Sequence, residues 1–582
     1  MAVRSCFQTL LVTGHRWGCT PAPCCSWTRS LSSINSSTQA TNSSNTGGQQ
    51  AGRGPSTWGL FGAAAAAGAV ALSSSAFADA RSKELQATPA APKPVSQAAG
   101  QQHSKGSDGL PVFTAEEVAQ HRTPKERVWV TYKDGVFDVT DFVAQHPGGA
   151  GKIMLAAGGA VEPFWGLYQQ HMKQEVRDIL EQYRIGSLKG GAAAAAPTED
   201  PYRNEPRRHP ALIVLSDKPF NGETPAQMLT ASPVTPNDMF FVRHHLPVPV
   251  IDSEKFSVAV EGAGMRSLQL SVQQLQQNFK KAQVAATVQC TGNRRNQMKA
   301  TPAPDGSGAQ IKGLDWDVGA ISTAEWGGVL LRDVLLAAGL QPRDASVQHI
   351  HFVGLDTDMT GTPYAASIPI DKAMSDAGDV LLAWEMNGQP IPRDHGGPLR
   401  VIVPGTTGAR SVKWIGRIVA SADECQGHWQ QKDYKAFSPG TDWDNLDWSA
   451  APAIQEMPVV SAICEPTEGA QLSTYDGEVT IKGYAWSGGG RDIIRVDVSV
   501  DGGKTWSPAA LNKLPHSKPS RAWAWTLYEA TLPLPEGFKG QLQLACKATD
   551  QNYNTQPEDV SSIWNVRGLV NNAWHKVNVT VE

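Results

Sequence analysis

Val288-Gln289-Cys290-Thr291-Gly292-Asn293-Arg294-Arg295 places one cysteine behind an apolar run and two arginines just after it. Residues 284–288 are apolar enough for a buried strand, so Cys290 opens a Gly-containing loop at the strand's end. A lone cysteine more often packs as a small buried hydrophobe. The Asn-Arg-Arg that follows argues otherwise, because neighbouring cations favour thiolate over thiol. Thiolate is a soft ligand for a transition metal, and guanidinium forks match a small oxyanion. A metal and an anionic substrate are therefore expected to share one place.

Three further stretches fit that place. Phe241-Val242-Arg243-His244-His245 sets a cation and two histidines beside a Pro-rich run. Asp394-His395-Gly396-Gly397-Pro398-Leu399-Arg400 and Gly408-Ala409-Arg410-Ser411-Val412-Lys413-Trp414 read as Gly-containing loops that carry donors. Such loops let backbone N–H groups approach an anionic cofactor closely.

Further upstream, residues 128–140 hold two β-rich runs around Lys133-Asp134-Gly135, a hairpin signal in which Asp-Gly favours positive φ. His146-Pro147-Gly148-Gly149 then holds a histidine at the lip of a turn. His171 follows an apolar stretch read as helical, with Ile153, Met154, Leu155, Phe164 and Leu167. Two histidines at the ends of an apolar pocket suit a six-coordinate haem, one neutral imidazole on each face. This unit resembles cytochrome b5. The resemblance implies that His146 and His171 are the axial haem ligands, and that the task is electron transfer.

The rest of the chain sets the frame. With 582 residues there is length for about four domains. A net charge of −4 argues against a general nucleic-acid binder. Before Asp79 there is no acidic residue, and the strong cations are Arg4, Arg16, Arg29 and Arg53 amid many Ser and Thr. That is the composition of an organellar transit peptide. The apolar run 58–78, with five consecutive alanines, reads as a sorting signal removed on import rather than a permanent membrane anchor. Residues 81–109 are too poor in large apolar groups to order themselves, and Gly and Ala make 190–201 a flexible linker. Cys290, Cys425, Cys464 and Cys546 are too widely spaced for a disulfide framework or a CxxC metal site. After about residue 452 short strands take over at 479–486, 494–500 and 541–548, with a turn at Asp501-Gly502-Gly503. This is the pattern of an immunoglobulin-type sandwich.

From about Phe240 to the C-terminus, including MNGQPIPRDHGGPLR and DYKAFSPG, the chain closely resembles the molybdopterin domain of the sulfite oxidase and nitrate reductase family. The expected architecture is multidomain α+β. A presequence (1–80) and disordered segment (81–109) precede a cytochrome b5-like haem domain (110–189). After the linker come a mixed α+β molybdopterin domain (202–454) and an immunoglobulin-like dimerisation domain (455–582), where Cys464 and Cys546 are expected as free thiols.

The resemblance implies one molybdenum-molybdopterin and one haem b per subunit, with Cys290 the single protein ligand to molybdenum. It implies that Phe241, Val242, Arg243, His244, His245, Asp356, His395, Arg400, Ser411, Val412 and Lys413 hold the pterin and its phosphate. It sets Arg243, Arg295, Trp316, Tyr434 and Arg567 around an oxyanion pocket. His244 stands where relatives usually carry Asn, Ser411 where many carry His, and the 296–312 loop is longer than usual. The implied activity is oxidation of sulfite to sulfate in a homodimer of the mitochondrial intermembrane space, with cytochrome c accepting the electrons. A nitrate reductase-like enzyme would place its haem unit after the molybdenum domain and add a flavin module. A non-enzymatic haem carrier would not need Cys290.

Overall fold

The structure is a computed structural model that describes residues 109–582, apart from 147–148, 166–168, 191–199, 359, 474–476 and 515–519. The expected presequence and the apolar run 58–78 lie outside the described residues, as do nearly all of the segment before 110 and most of the linker. The described residues fall within one unit, Pro89–Glu582. Among them, no helix is long and apolar enough to cross a membrane.

In the N-terminal part, Arg127–Tyr132 turns back antiparallel into Gly135–Asp138. The positive φ of the turn falls on Lys133 (53°) rather than on the Asp-Gly pair. Gly135 is needed for another reason: a Cβ there would lie 2.5 Å from the Phe137 ring. Val112–Phe113, Arg184–Leu188 and Arg122–Thr123 complete the path of this sheet, and Gly159–Ala160 pairs beside Arg127–Tyr132. The helical stretch expected after residue 150 is broken into Ala150–Ile153, a 3-10 turn Met154–Ala156 and Glu162–Trp165. Gly158, at φ 77°, ends the first piece and donates its N–H to Trp129 O. The sheet takes the backbone that a continuous helix would have used. Val130, Phe137, Val143, Ala156, Trp165 and Leu180 form the core beneath.

Two five-stranded sheets build the central part. One runs Leu268–Leu270, Val258–Gly262, Ile415–Ser421, His349–Thr357, Pro363–Pro369. Along His349–Thr357, buried Ile350 and Phe352 alternate with half-exposed His349 and His351, the two-residue period of a strand with one dry face. The other sheet runs Lys281–Gln289, Ile321–Leu330, Leu381–Met386, Gln389–Pro390, with Arg400–Ile402 also on Leu381–Met386. A small sheet, Ile213–Asp217, Phe220–Glu223, Val242–Arg243, closes one end. With helices such as Leu331–Ala337 packed on the strands, this part is mixed α+β.

The C-terminal part is two sheets face to face. Val460–Glu465, Glu478–Trp486, Thr526–Pro533 and Ala510–Lys513 form one. Gln471–Leu472, His575–Val581, Gly540–Asp550, Ile493–Ser499 and Ser507–Pro508 form the other. Ile463, Ile481 and Tyr528 meet Val496, Leu544 and Val577 in the shared core. The Asp501 carboxylate ties its turn by accepting from the N–H groups of Lys504 and Thr505. Cys290, Cys425, Cys464 and Cys546 are buried free thiols.

Candidate active site

Burial deepens along Lys281–Gln289, so the strand drives its far end into the protein. Cys290 follows at once, 7% exposed, its N–H donating to Ala320 O (2.9 Å). Its own carbonyl accepts from Asn293 N–H (3.0 Å), which turns the chain tightly. The C-terminal sandwich grips this strand from outside: Thr287 N–H donates to Trp523 O (3.0 Å), and Trp525 N–H to Thr287 Oγ1 (2.8 Å).

The two arginines after Cys290 part company, and this corrects the expectation that both serve the thiol. Arg294, held at φ 62°, is fully buried and points into the sandwich. Its Nη1 donates to Ser461 O and Ala573 O and its Nη2 to Trp574 O, while Gln297 takes Nε and Nη2. Arg295 stays by the cavity, close enough to Cys290 and Arg243 for their charges to interact, with Nε on Gly568 O and Nη1 on Leu314 O. Gly568 must be glycine to let this happen: at φ 62°, a Cβ would meet both Ile311 and Arg295. Ile311 belongs to the long 296–312 loop, which packs on Trp564 and Val566 and so buttresses Arg295.

One cavity gathers Cys290 with Phe241, Arg243, His244, His245, Asp356, His395, Arg400, Ser411, Val412, Lys413 and Tyr434. The other expected residues do not line it. Val242 points the opposite way from Arg243, as alternation along a strand requires, and packs with Leu212, Phe220 and Met239. Trp316 lies behind the wall, fully buried in the apolar cluster that includes Cys290 and Phe241. Arg567 reaches from the sandwich to the main-chain and side-chain oxygens of Asp433 (3.1 and 2.6 Å), flanked by the Trp443 and Trp448 rings. It meets the residue before Tyr434 rather than the cavity itself.

Beneath the cavity runs a polar chain of which the sequence reading named only part. Lys413 Nζ donates to Arg243 O (3.0 Å) and to His244 Nδ1, and His244 Nε2–H donates to Asp394 Oδ1 (2.9 Å). Arg208 then holds Asp394 by two bonds (3.0 and 2.8 Å). Burial, reinforced by the Lys413 charge, lowers His244 to about 3, so the ring is neutral with its tautomer set by these partners. Nothing near Arg208 in the sequence marks it. Tyr364 was missed as well; it stacks on His245 at 5.0 Å from the strand Pro363–Pro369, which no sequence motif singled out. His245 Nε2 bonds the Tyr434 hydroxyl at 2.6 Å. Burial pushes the Tyr434 phenol well above its usual value, which keeps the hydroxyl a donor and not a base. The Ser411 hydroxyl is spent within its own loop, accepting from Val403 N–H (3.1 Å).

The residues fit an anionic, hydrogen-bonding cofactor. Arg243, Arg400 and Lys413 line the cavity against Asp356 and Asp394, and Asp394 is already committed to Arg208 and His244. Arg400 Nε and Asp356 Oδ1 are buried with no hydrogen-bond partner among the described residues. Burial depresses Arg400 to about 9 and lifts Asp356 to about 7, the strain expected of charges awaiting a guest that compensates them. Gly396, at φ 103°, permits the approach of the Lys413 and Arg400 stems, since a Cβ there would come within 3.0 Å of both. A pterin phosphate suits the cations, and the Cys290 thiol is of the soft type that could ligate a metal.

The N-terminal part holds the second centre. His146 ends the turn Thr140–Gln145 and bonds Gly149 O through Nδ1 (3.0 Å), which leaves Nε2 for other use. The His146 and His171 rings stand 6.2 Å apart between centroids and within 12° of parallel. Two metal–imidazole bonds of about 2 Å each, plus the half-rings, fill that gap. Burial lowers His146, which favours the neutral ligand form.

Comparison with known proteins accords with both centres. Residues 114–189 match the cytochrome b5-like heme/steroid binding domain, 245–429 the oxidoreductase molybdopterin binding domain, and 451–582 the Mo-co oxidoreductase dimerisation domain. The sulfite oxidase of Gallus gallus is 53% identical over 80% of this chain and 99% of its own length. The mitochondrial sulfite oxidase of Homo sapiens is 51% identical over 81% and 84%. A nitrate reductase of Hordeum vulgare is 35% identical over 64% of this chain, but only 42% of that protein is covered. Among solved structures, the sulfane dehydrogenase SoxCD of Paracoccus pantotrophus aligns with a TM-score of 0.50 and 25% identity, over 66% of this chain and 90% of that one. This chain, with its haem-binding and molybdopterin-binding parts, belongs to the sulfite oxidase family.

Proposed function

We propose that this protein oxidises sulfite to sulfate at a molybdopterin-bound molybdenum and passes the electrons through haem b to cytochrome c. The observation that carries this reading is the meeting of the Cys290 thiol, buried cations and polar atoms without partners among the described residues in one cavity. The net change is sulfite plus water to sulfate, two protons and two electrons. The molybdenum cofactor, when bound, supplies the oxygen-atom transfer and takes up the electron pair. Cys290 is its protein ligand, and Arg400, Lys413 and His395 hold the pterin and its phosphate with Asp356. The His244–Asp394–Arg208 chain keeps Lys413 aimed from below.

Arg243 and Arg295 bind the sulfite oxygens by charge-assisted bonds and turn the sulfur lone pair toward the metal. Tyr434, anchored on His245, donates to the substrate. Arg567 shapes this end of the site through Asp433, and Trp316 backs its wall. His146 and His171 would hold the haem iron, and the haem would supply single-electron transfer.

The domain boundaries follow as 110–189, 202–454 and 455–582. In the last, the strand order supports an immunoglobulin type: the first, third, seventh and sixth strands share one sheet, while the second, ninth, eighth, fourth and fifth form its mate. That domain joins two copies into a homodimer, in keeping with its family match. Relatives are named mitochondrial, and the acid-poor N-terminus supports import to the intermembrane space. Replacing Cys290 with serine tests the reading: sulfite-driven haem reduction should vanish while the haem spectrum stays unchanged. Full activity in Cys290→Ser would overturn it.

A further inference from the structure

We propose that Lys152 and Asp358 form a docking latch that seats the haem unit on the rim of the Cys290 cavity during electron transfer. The inference rests on the sulfite-oxidising reading above and adds where the two centres meet. Lys152 lies on Ala150–Ile153, six positions beyond His146. Asp358 follows the strand His349–Thr357, two positions beyond the cavity residue Asp356. The Lys152 ammonium pairs with Asp358 Oδ2 across 206 residues of chain.

Asp358 is built as a receptor for a cation. Its side chain is only 3% exposed, and its Oδ1 is already spoken for by its own loop: Thr360 N–H (2.9 Å), Thr362 N–H (3.0 Å) and the Thr360 hydroxyl (2.5 Å). These bonds fix the carboxylate and turn Oδ2 to the visiting ammonium. Lys152 also lies near enough to His428 for its charge to act on that imidazole. His428 precedes the turn Trp429–Asp433, which leads directly into Tyr434. The haem-bearing part thus meets the rim through Lys152, paired with Asp358 and within charge range of His428, and each of these two rim residues is a few positions from a group lining the cavity.

A latch of this kind suits a unit that must also leave. Lys152 keeps 35% of its side chain exposed, so the pair is open to salt and readily broken. The tether through residues 190–201 keeps the local concentration of the haem unit high, and a weak contact suffices for it to return. Each docking passes one electron, and two dockings clear the pair released by one sulfite.

The test uses full-length protein loaded with both cofactors. Rapid mixing with sulfite at low salt reports the rate of haem reduction; sulfite-dependent reduction of ferricyanide, a small oxidant that reaches the cavity without docking, reports the chemistry alone. Lys152→Glu should slow haem reduction by about tenfold, as expected when attraction becomes repulsion at a close charge pair, and leave the ferricyanide rate unchanged. Added salt should slow the wild type but not Lys152→Glu. Combining Lys152→Glu with Asp358→Lys should restore much of the rate. A wild-type haem rate in Lys152→Glu, or an unaltered salt dependence, would overturn the latch, whether or not the doubly substituted protein folds. If wild-type protein reduced neither haem nor ferricyanide, the sulfite reading would fail instead.

Discussion

Replacing Arg294 with methionine should loosen the C-terminal sandwich from the loop that follows Cys290, with the haem-bearing part left intact. All five guanidinium N–H groups are in use, three on backbone carbonyls of Ser461, Ala573 and Trp574 and two on Gln297. Methionine matches the length and the apolar packing of the stem but satisfies none of those oxygens. An unsatisfied buried acceptor costs about 1–3 kcal/mol, and the four oxygens left behind, offset in part by removal of a buried charge, cost about 3–5 kcal/mol in all. At about 2–4 °C per kcal/mol for a body of this size, the melting transition should fall by about 10 °C. Differential scanning calorimetry of the purified variant measures this directly, and the haem absorbance serves as an internal control. A melting point within about 2 °C of wild type would refute the argument, because a bolt with five bonds cannot be withdrawn without cost. Arg295→Met is the contrasting case: it should raise the KM for sulfite with a smaller loss of stability, since Arg295 makes only two backbone bonds and its charge lies within range of Cys290 and Arg243.

Other outcomes follow from the same geometry. Tyr434→Phe removes the hydroxyl bonded to His245 and should lower kcat/KM for sulfite by about tenfold, as for loss of one well-placed hydrogen bond, without shifting the melting point. Arg400→Ala should reduce the pterin content of the purified protein, measured by fluorescence of the released pterin, and leave haem content unchanged; unaltered pterin would remove Arg400 from the cofactor cradle. Burial, with Asp317 adding to it, pushes Glu223 up to about 8. Such a carboxyl holds its proton more tightly folded than unfolded, so its contribution to stability declines as pH rises from 4.5 toward 8, then levels off. Thermal melts across that range should show the decline in wild type and a flatter profile in Glu223→Gln.

Much of this molecule is written in local pattern. Apolar periodicity and turn residues marked the hairpin at 127–138, the sandwich strands and the strand that ends at Cys290, because each is decided by neighbours a few positions apart. The donor-rich loops and the two histidines were visible for the same reason. Direction and partnership were not. Adjacent Arg294 and Arg295 look alike in sequence, yet one bolts down a sandwich up to 280 residues away, while the charge of the other acts on Cys290 and Arg243. Val242 and Arg243 separate to opposite sides of one strand, and Arg567 stops at Asp433. His244, unusual in its place, finds Lys413 and Asp394 about 150 or more residues on. Chain spacing governs what a segment can become, but a guanidinium or imidazole points wherever distant carbonyls and carboxylates offer bonds, and those positions exist only once the sheets have packed.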